Sequence, residues 1–427
     1  MNGYHGTSRN DFNRKYILSL IKDYSKENTY IFAGIFLVKN TIYGEKYEIE
    51  ELTDFEEYKG RLLVNFYRYQ GLRGRSFKLE SFDNDLILKE ILCTQKQPNI
   101  NLKTNKPNLF DYATSELSQD AVFSWLISWA NDCYITTDNE LCILGKRFLS
   151  LLCGGMDIKD IHDVKVYRQW EHIDICVEIN NDSVLIIEDK TGTSIHDQQL
   201  EVYKEKTSQY YKSSRKNIKY AYVKTENEPI SIENEIKGIG YDVIRRNDLL
   251  KVLYTYQDSN QIVIDYRNHL QEIEDQTISY ETLPVTKWDW YQWQGFYKFL
   301  ETKINVNSWG YVSNPSGGFL GLWCKGVKND EITMYLQFEE SKLCIKICDD
   351  KSDNHTEIRN KYYDLLIGIA EKEEITIEKP ARFGSGTFMT IGVVPKDNIF
   401  GKGIVCFNTL VNEITKYEQL INECIKS

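Results

Sequence analysis

In this chain of 427 residues the side chains best suited to chemistry are Asp174, Glu188 and Lys190. All three fall in HIDICVEINNDSVLIIEDKTGTSIHDQQLEVY, His172 to Tyr203. Two carboxylates and an ammonium near strand ends, with no hydrophobic reason to be there, suit a divalent-metal site beside a charged catalytic group. Such a set makes a water nucleophilic near neutral pH. It works only if the chain brings the three together. Asn180, Asn181, Asp182 and Ser183 are turn chemistry, and the runs on either side alternate with period two. So 172–179 and 184–191 are predicted to form an antiparallel hairpin. A three-residue loop, Asn180 to Asp182, sets Ile175 against Ile187, Val177 against Leu185 and Asp174 against Glu188, and opposed residues share a face. A two-residue loop would turn every side chain of one strand to the other face, so the apolar pairs select the odd loop.

A helix is expected next. Gln199 and Tyr203 are four apart and so lie on one side of it. An Asp, thirteen intervening residues, Glu-x-Lys and then QxxxY resembles the signature of the PD-(D/E)XK nuclease superfamily, in its RecB-like branch. The proline of the family name is missing, since Ile173 precedes Asp174; that position varies in the superfamily. Glu-x-Lys alone is a weak pattern that any salt-bridged strand edge can show. The full constellation is far more specific.

The resemblance spans about 110 to 254. It implies an α/β fold with a restriction-endonuclease-like αβββαβ core, and Mg²⁺ or Mn²⁺ held by Asp174, Glu188, the carbonyl of Asp189 and Glu116. Glu116 matches the acid that relatives carry on the helix before the sheet, and Asp120, four residues on, is the reserve. The bland reading of Glu116 is an acid favouring a helix dipole. Lys190 would orient or deprotonate the attacking water, while Gln199 and Tyr203 would hold the nucleotide or the lysine. The implied activity is metal-dependent hydrolysis of DNA phosphodiester bonds, in DNA repair or defence against foreign DNA. The alternatives are an RNA-directed nuclease and a catalytically silent nucleic-acid-binding or adaptor protein. From the residues alone, His196 could reach a phosphate or be a first-turn polar residue, His172 is unassigned, and Arg168 and Trp170 could contact substrate.

The flanks read differently. Residues 1–97 open with a helical pattern around Asn13 to Lys26 and then turn β-rich. From Tyr58 to Leu79 there are six basic residues and no acid, interleaved with aromatics. This segment reads equally as a strand tracking a phosphate backbone or as a strand with a buried aromatic face. The polar, proline-bearing stretch 95–108 is read as a linker to a nuclease-like domain at 109–270. Residues 271–286, also polar, mark a second boundary, and 287–427 form an α+β domain. There Trp293, Phe296, Tyr297 and Leu300 have the spacing of a buried helical stripe.

Composition narrows the classes. Hydrophobic content of 41% and charge of 27% are those of a globular chain. No apolar run approaches a membrane span, and the N-terminus lacks the apolar core of a secretory signal, so a cytoplasmic protein is expected. The net charge of −11 argues against non-specific coating of nucleic acid. Local charge runs the other way, with six basic residues against one acid from Lys204 to Lys219. Ten scattered cysteines read as reduced thiols. None follows Tyr203 until Cys324, which argues against an iron–sulfur cluster. Zinc motifs and a phosphate loop are missing from the sequence: Gly384-Ser385-Gly386 lacks the Lys-Ser/Thr that such a loop needs. Protein partners or a homo-oligomer stay open.

Overall fold

A computed structural model describes residues 107–427 other than 194, 196, 197, 315, 316 and 402, together with four N-terminal strands in backbone only. His196, the linker up to residue 106 and nearly all of the basic segment 58–79 lie outside the described residues. The chain divides into two compact units, 1–107 and 108–427. In the first, β1 (Tyr16–Lys22), β2 (Tyr30–Ile42) and β3 (Lys46–Glu51) form an antiparallel sheet in that order, with β4 (Leu62–Leu63) also on β2. The helix expected around 13–26 is therefore a strand over 16–22. YILSLIK carries the β-branched and aromatic residues that suit a pleated surface.

The second unit begins with two helices, α1 (Glu116–Ser128) and α2 (Asn139–Leu152). Asp138 caps α2 by accepting from the Leu141 N–H at 2.9 Å. A five-stranded sheet follows in sequence order: β5 (Val164–Trp170), β6 (Ile173–Ile179), β7 (Ser183–Lys190), β8 (Asn217–Lys224) and β9 (Asp242–Arg245). The first three strands are antiparallel. The pairings β7–β8 and β8–β9 are parallel, with α3 (Gln199–Tyr211) and α4 (Ile230–Ile239) as their crossovers. This is the mixed α/β architecture expected, extended by α4, β9, α5 (Arg246–Leu253) and α6 (Gln261–Ile278).

The hairpin register is the predicted one: Ile175 opposes Ile187 and Val177 opposes Leu185, with Asn180 to Asp182 as the loop. Both loop asparagines adopt positive φ, 51° and 62°, a conformation asparagine tolerates better than most residues. Leu185 and Ile187 pack with α1, α2, α5 and α6 on one face. Val184 and Ile186 pack with Tyr203 and Tyr211 of α3 on the other. Strand β7 is thus covered on both sides and buried along its whole length.

A second core fills the C-terminal module. It comprises α7 (Trp290–Leu300), a sheet ordered β10 (Val306–Val312), β11 (Phe319–Cys324), β13 (Thr333–Glu339), β14 (Lys342–Cys348), β15 (Phe388–Val394), with β12 (Val327–Lys328) on β13, and helices α8 (His355–Lys372), α9 (Lys396–Phe400) and α10 (Phe407–Lys426). Trp293, Phe296, Tyr297 and Leu300 are the buried stripe of α7. The polar stretch 271–286, read as a boundary, is helical up to Ile278, and Gly295 of α7 packs so closely on the Thr277 carbonyl that no Cβ fits between them.

Candidate active site

The C-terminal end of β7 carries Glu188, Asp189 and Lys190, all buried. A charge there must be matched by neighbours, because burial removes its hydration. Lys190 Nζ lies 2.5 Å from Glu188 Oε1 and 3.8 Å from Glu116 Oε2. The Asp174 carboxyl lies against Glu188, and Asp174 Oδ2 accepts the Asp189 backbone N–H at 3.1 Å. Asp174 therefore bridges the two faces of the sheet. On the far face Asp189 points to Asp120 of α1, and Asp120, Asp174 and Asp189 bring one carboxylate oxygen each to within 4.8 Å of one another.

These acids do not ionise freely. Burial, followed by the neighbouring Asp174, pushes the Glu188 carboxyl up to about 8. Burial and the facing Asp120 hold Asp189 far above the ordinary carboxylate range, and burial raises Asp120 as well. Burial works against the Lys190 charge, yet Glu188 outweighs it and raises the amine. The lysine is thus a fixed cation. Both carboxyl oxygens of Asp189, Oδ1 of Asp120 and Oε2 of Glu188 are buried without a hydrogen-bond partner among the described residues. The unmatched oxygens of Asp120 and Asp189, beside an oxygen of Asp174 and with no sulfur or imidazole among them, fit a hard divalent cation.

Of the predicted residues, Glu116, Asp174, Glu188 and Lys190 are gathered at one edge. Gln199 and Tyr203 join them as second partners: Gln199 Nε2 donates to Glu188 Oε1 at 2.8 Å and to the Tyr203 hydroxyl at 2.9 Å. Tyr203 in turn donates to the His172 carbonyl at 2.7 Å. The glutamine and tyrosine therefore hold Glu188 and the β6 end, rather than Lys190. Asp189 enters with its side chain, where the sequence pointed to its carbonyl. Asp120, the reserve, lies in the acid cluster, and Glu116 sits beside Lys190. Gln169, whose Nε2 donates to Asp174 Oδ1 at 3.5 Å, gave no signal in the sequence. Nor did Lys224, which burial pushes below the ordinary lysine range.

Residues 83–283 match the model of a family described as the PD-(D/E)XK nuclease superfamily. No curated protein and no solved structure matches the chain.

Proposed function

With residues 83–283 belonging to the PD-(D/E)XK nuclease superfamily, we propose that this chain is a Mg²⁺- or Mn²⁺-dependent nuclease that hydrolyses DNA phosphodiester bonds. The observation that carries the reading is the convergence of Asp120, Asp174 and Asp189, with unmatched oxygens on Asp120 and Asp189, next to the Glu188–Lys190 pair. Asp174, Glu188 and Asp189 would hold the cation, with Asp120 and Glu116 as flanking acids. When bound, a divalent cation neutralises phosphate charge and lowers the pKa of its water.

The chain's own groups do the rest. Lys190, whose ammonium lies beside Glu188 and Glu116, presents positive charge to the phosphate oxygens as they gain negative charge. In this state it cannot take a proton, so it orients the attacking water by donating to it. Gln199 fixes the rotamer of Glu188, and Tyr203 fixes Gln199 against the His172 carbonyl. This chain of donors is the role we assign to the QxxxY motif of the RecB-like branch. Along α3 and the turn that follows it, Lys206, Lys212 and Arg215 supply the basic track, and the ring of the exposed Tyr210 stands 4.8 Å from that of Trp170, so backbone and base contacts extend from the site. The segment before residue 108 and the module after residue 286 serve substrate choice, in repair or defence against foreign DNA.

Labelled linear, circular and single-stranded DNA, with matching RNA, is incubated with Mn²⁺. Wild type is expected to cut DNA, and Asp174→Ala and Lys190→Ala to lose at least about 10²-fold in rate. Undiminished cutting by both variants would remove the assignment, and cutting confined to RNA would change the substrate.

A further inference from the structure

Next to the acid cluster lies a partly buried polar network that the nuclease reading leaves without a task. Directly after Lys190 the chain forms a strap of Thr191, Gly192 and Thr193. On one side Thr191 donates its backbone N–H to Glu116 Oε1 at 3.4 Å, and the Thr193 hydroxyl donates to the same oxygen. On the other, the Thr193 carbonyl accepts from Lys224 Nζ at 2.6 Å. Lys224 is buried and stands beside Lys190 in the parallel register of β8 with β7.

Gly192 lies against Glu226, where a Cβ would come within 3.0 Å of the Glu226 Oε1. Glu226 is not free to swing aside. Its Oε2 accepts from Trp290 Nε1 and from Gln294 Nε2, each at 2.7 Å. Both donors stand on α7, in the C-terminal module. The same helix takes the Asn227 N–H on Gln294 Oε1 at 2.9 Å and gives Lys298 Nζ to the Glu228 carbonyl at 2.7 Å.

We propose that α7 is a positioning element of the active site, acting through Glu226 and the 191–193 strap on Glu116 and so on Lys190. The proposal rests on the nuclease reading of that site. Glu116 is only partly buried and 3.8 Å from Lys190. Without the strap's two donors its carboxylate would turn to water and release one side of the lysine. A loop following a strand end is ordinarily among the more mobile parts of a fold. Here Lys224 Nζ holds the Thr193 carbonyl, and Glu226, itself fixed by two donors of α7, stands against Gly192 on the side away from the chemistry. A module without a catalytic motif thereby gains a task in catalysis, distinct from simple adhesion. Adhesion alone would set stability and leave turnover untouched.

The test uses the full chain and three variants. Trp290→Phe keeps an aromatic ring and removes the indole donor, Glu226→Ala removes the link, and Glu226→Gln keeps its shape. Hydrogen exchange is read at the amides of 191–193, and cleavage with Mn²⁺ is resolved into kcat and KM. The first two variants are expected to speed exchange and to lower kcat about 10- to 100-fold while KM holds. Glu226→Gln should recover part of both. Unchanged exchange overturns the proposal, as does faster exchange with unchanged kcat. A wild type that cuts no nucleic acid defeats the nuclease reading alone, and the exchange measurement then still decides whether α7 holds the strap.

Discussion

Glu188 embodies the conflict at the centre of the site, since a carboxylate meant for a cation is buried beside another acid. Its carboxyl is raised from 4.5 to about 8, so between those values the folded protein holds a proton that the unfolded chain has released. Stability must therefore fall as pH climbs through that window, at a limiting slope of about 1.4 kcal/mol per pH unit for one such group. Asp189 and Asp120, also raised, push the same way. A cation that displaces these protons stabilises more where the protons are already leaving. We expect urea midpoints measured in EDTA to decline from pH 5 to pH 8, and Mg²⁺ to raise the midpoint more at pH 8 than at pH 6. A Mg²⁺ effect independent of pH would mean that the raised acids are not its ligands. Asp174, Glu188 and Lys190 were legible from alternation together with the three-residue loop, which places them on one face. The Asp189 side chain was not, because the same alternation assigns it to the opposite face. Asp174 sits at the edge where both faces meet, a feature of three dimensions that a linear pattern does not carry.

The hairpin that holds these residues owes its register to three loop positions. Asn180 and Asn181 both have positive φ, which a β-branched side chain resists. Asn181→Ile should cost about 1–2 kcal/mol, while Asn181→Gly should stay within about 0.5 kcal/mol of wild type. Urea denaturation gives the comparison, and equal stability of the two variants would refute the backbone argument. This loop was readable because turn residues and apolar pairing agreed on one answer. Helix α6 was not recognised, although Val263, Tyr266, Leu270, Ile273 and Thr277 are its buried face at steps of three and four. The dense polar residues from 271 on and the proline beyond suggested a domain boundary, and composition outweighed a periodicity that was present. At the other end, β1 was read as a helix because a seven-residue strand flanked by polar residues is too short to separate the two periods.

Across the whole molecule the charge is distributed against the substrate we assign. The net −11 repels a polyanion, so binding must depend on local basic segments. One is on α3 and its following turn, from Lys204 to Lys219. The other, from Tyr58 to Leu79, belongs to the unit 1–107, which is compact by itself. If that unit tracks the phosphate backbone, removing it leaves the chemistry intact and weakens binding uniformly across sequences. The fragment 108–427 contains both cores and every residue of the candidate site. It should therefore fold, keep kcat within about 3-fold and show a KM for DNA raised about 10-fold or more at moderate salt. Because fewer phosphates are neutralised, the slope of log KM against log salt should also become shallower. Equal KM and equal slope for the fragment and the full chain would return the arginines of 58–79 to a solvated strand edge. A collapse of kcat with KM unchanged would show that the N-terminal unit acts on the chemical step.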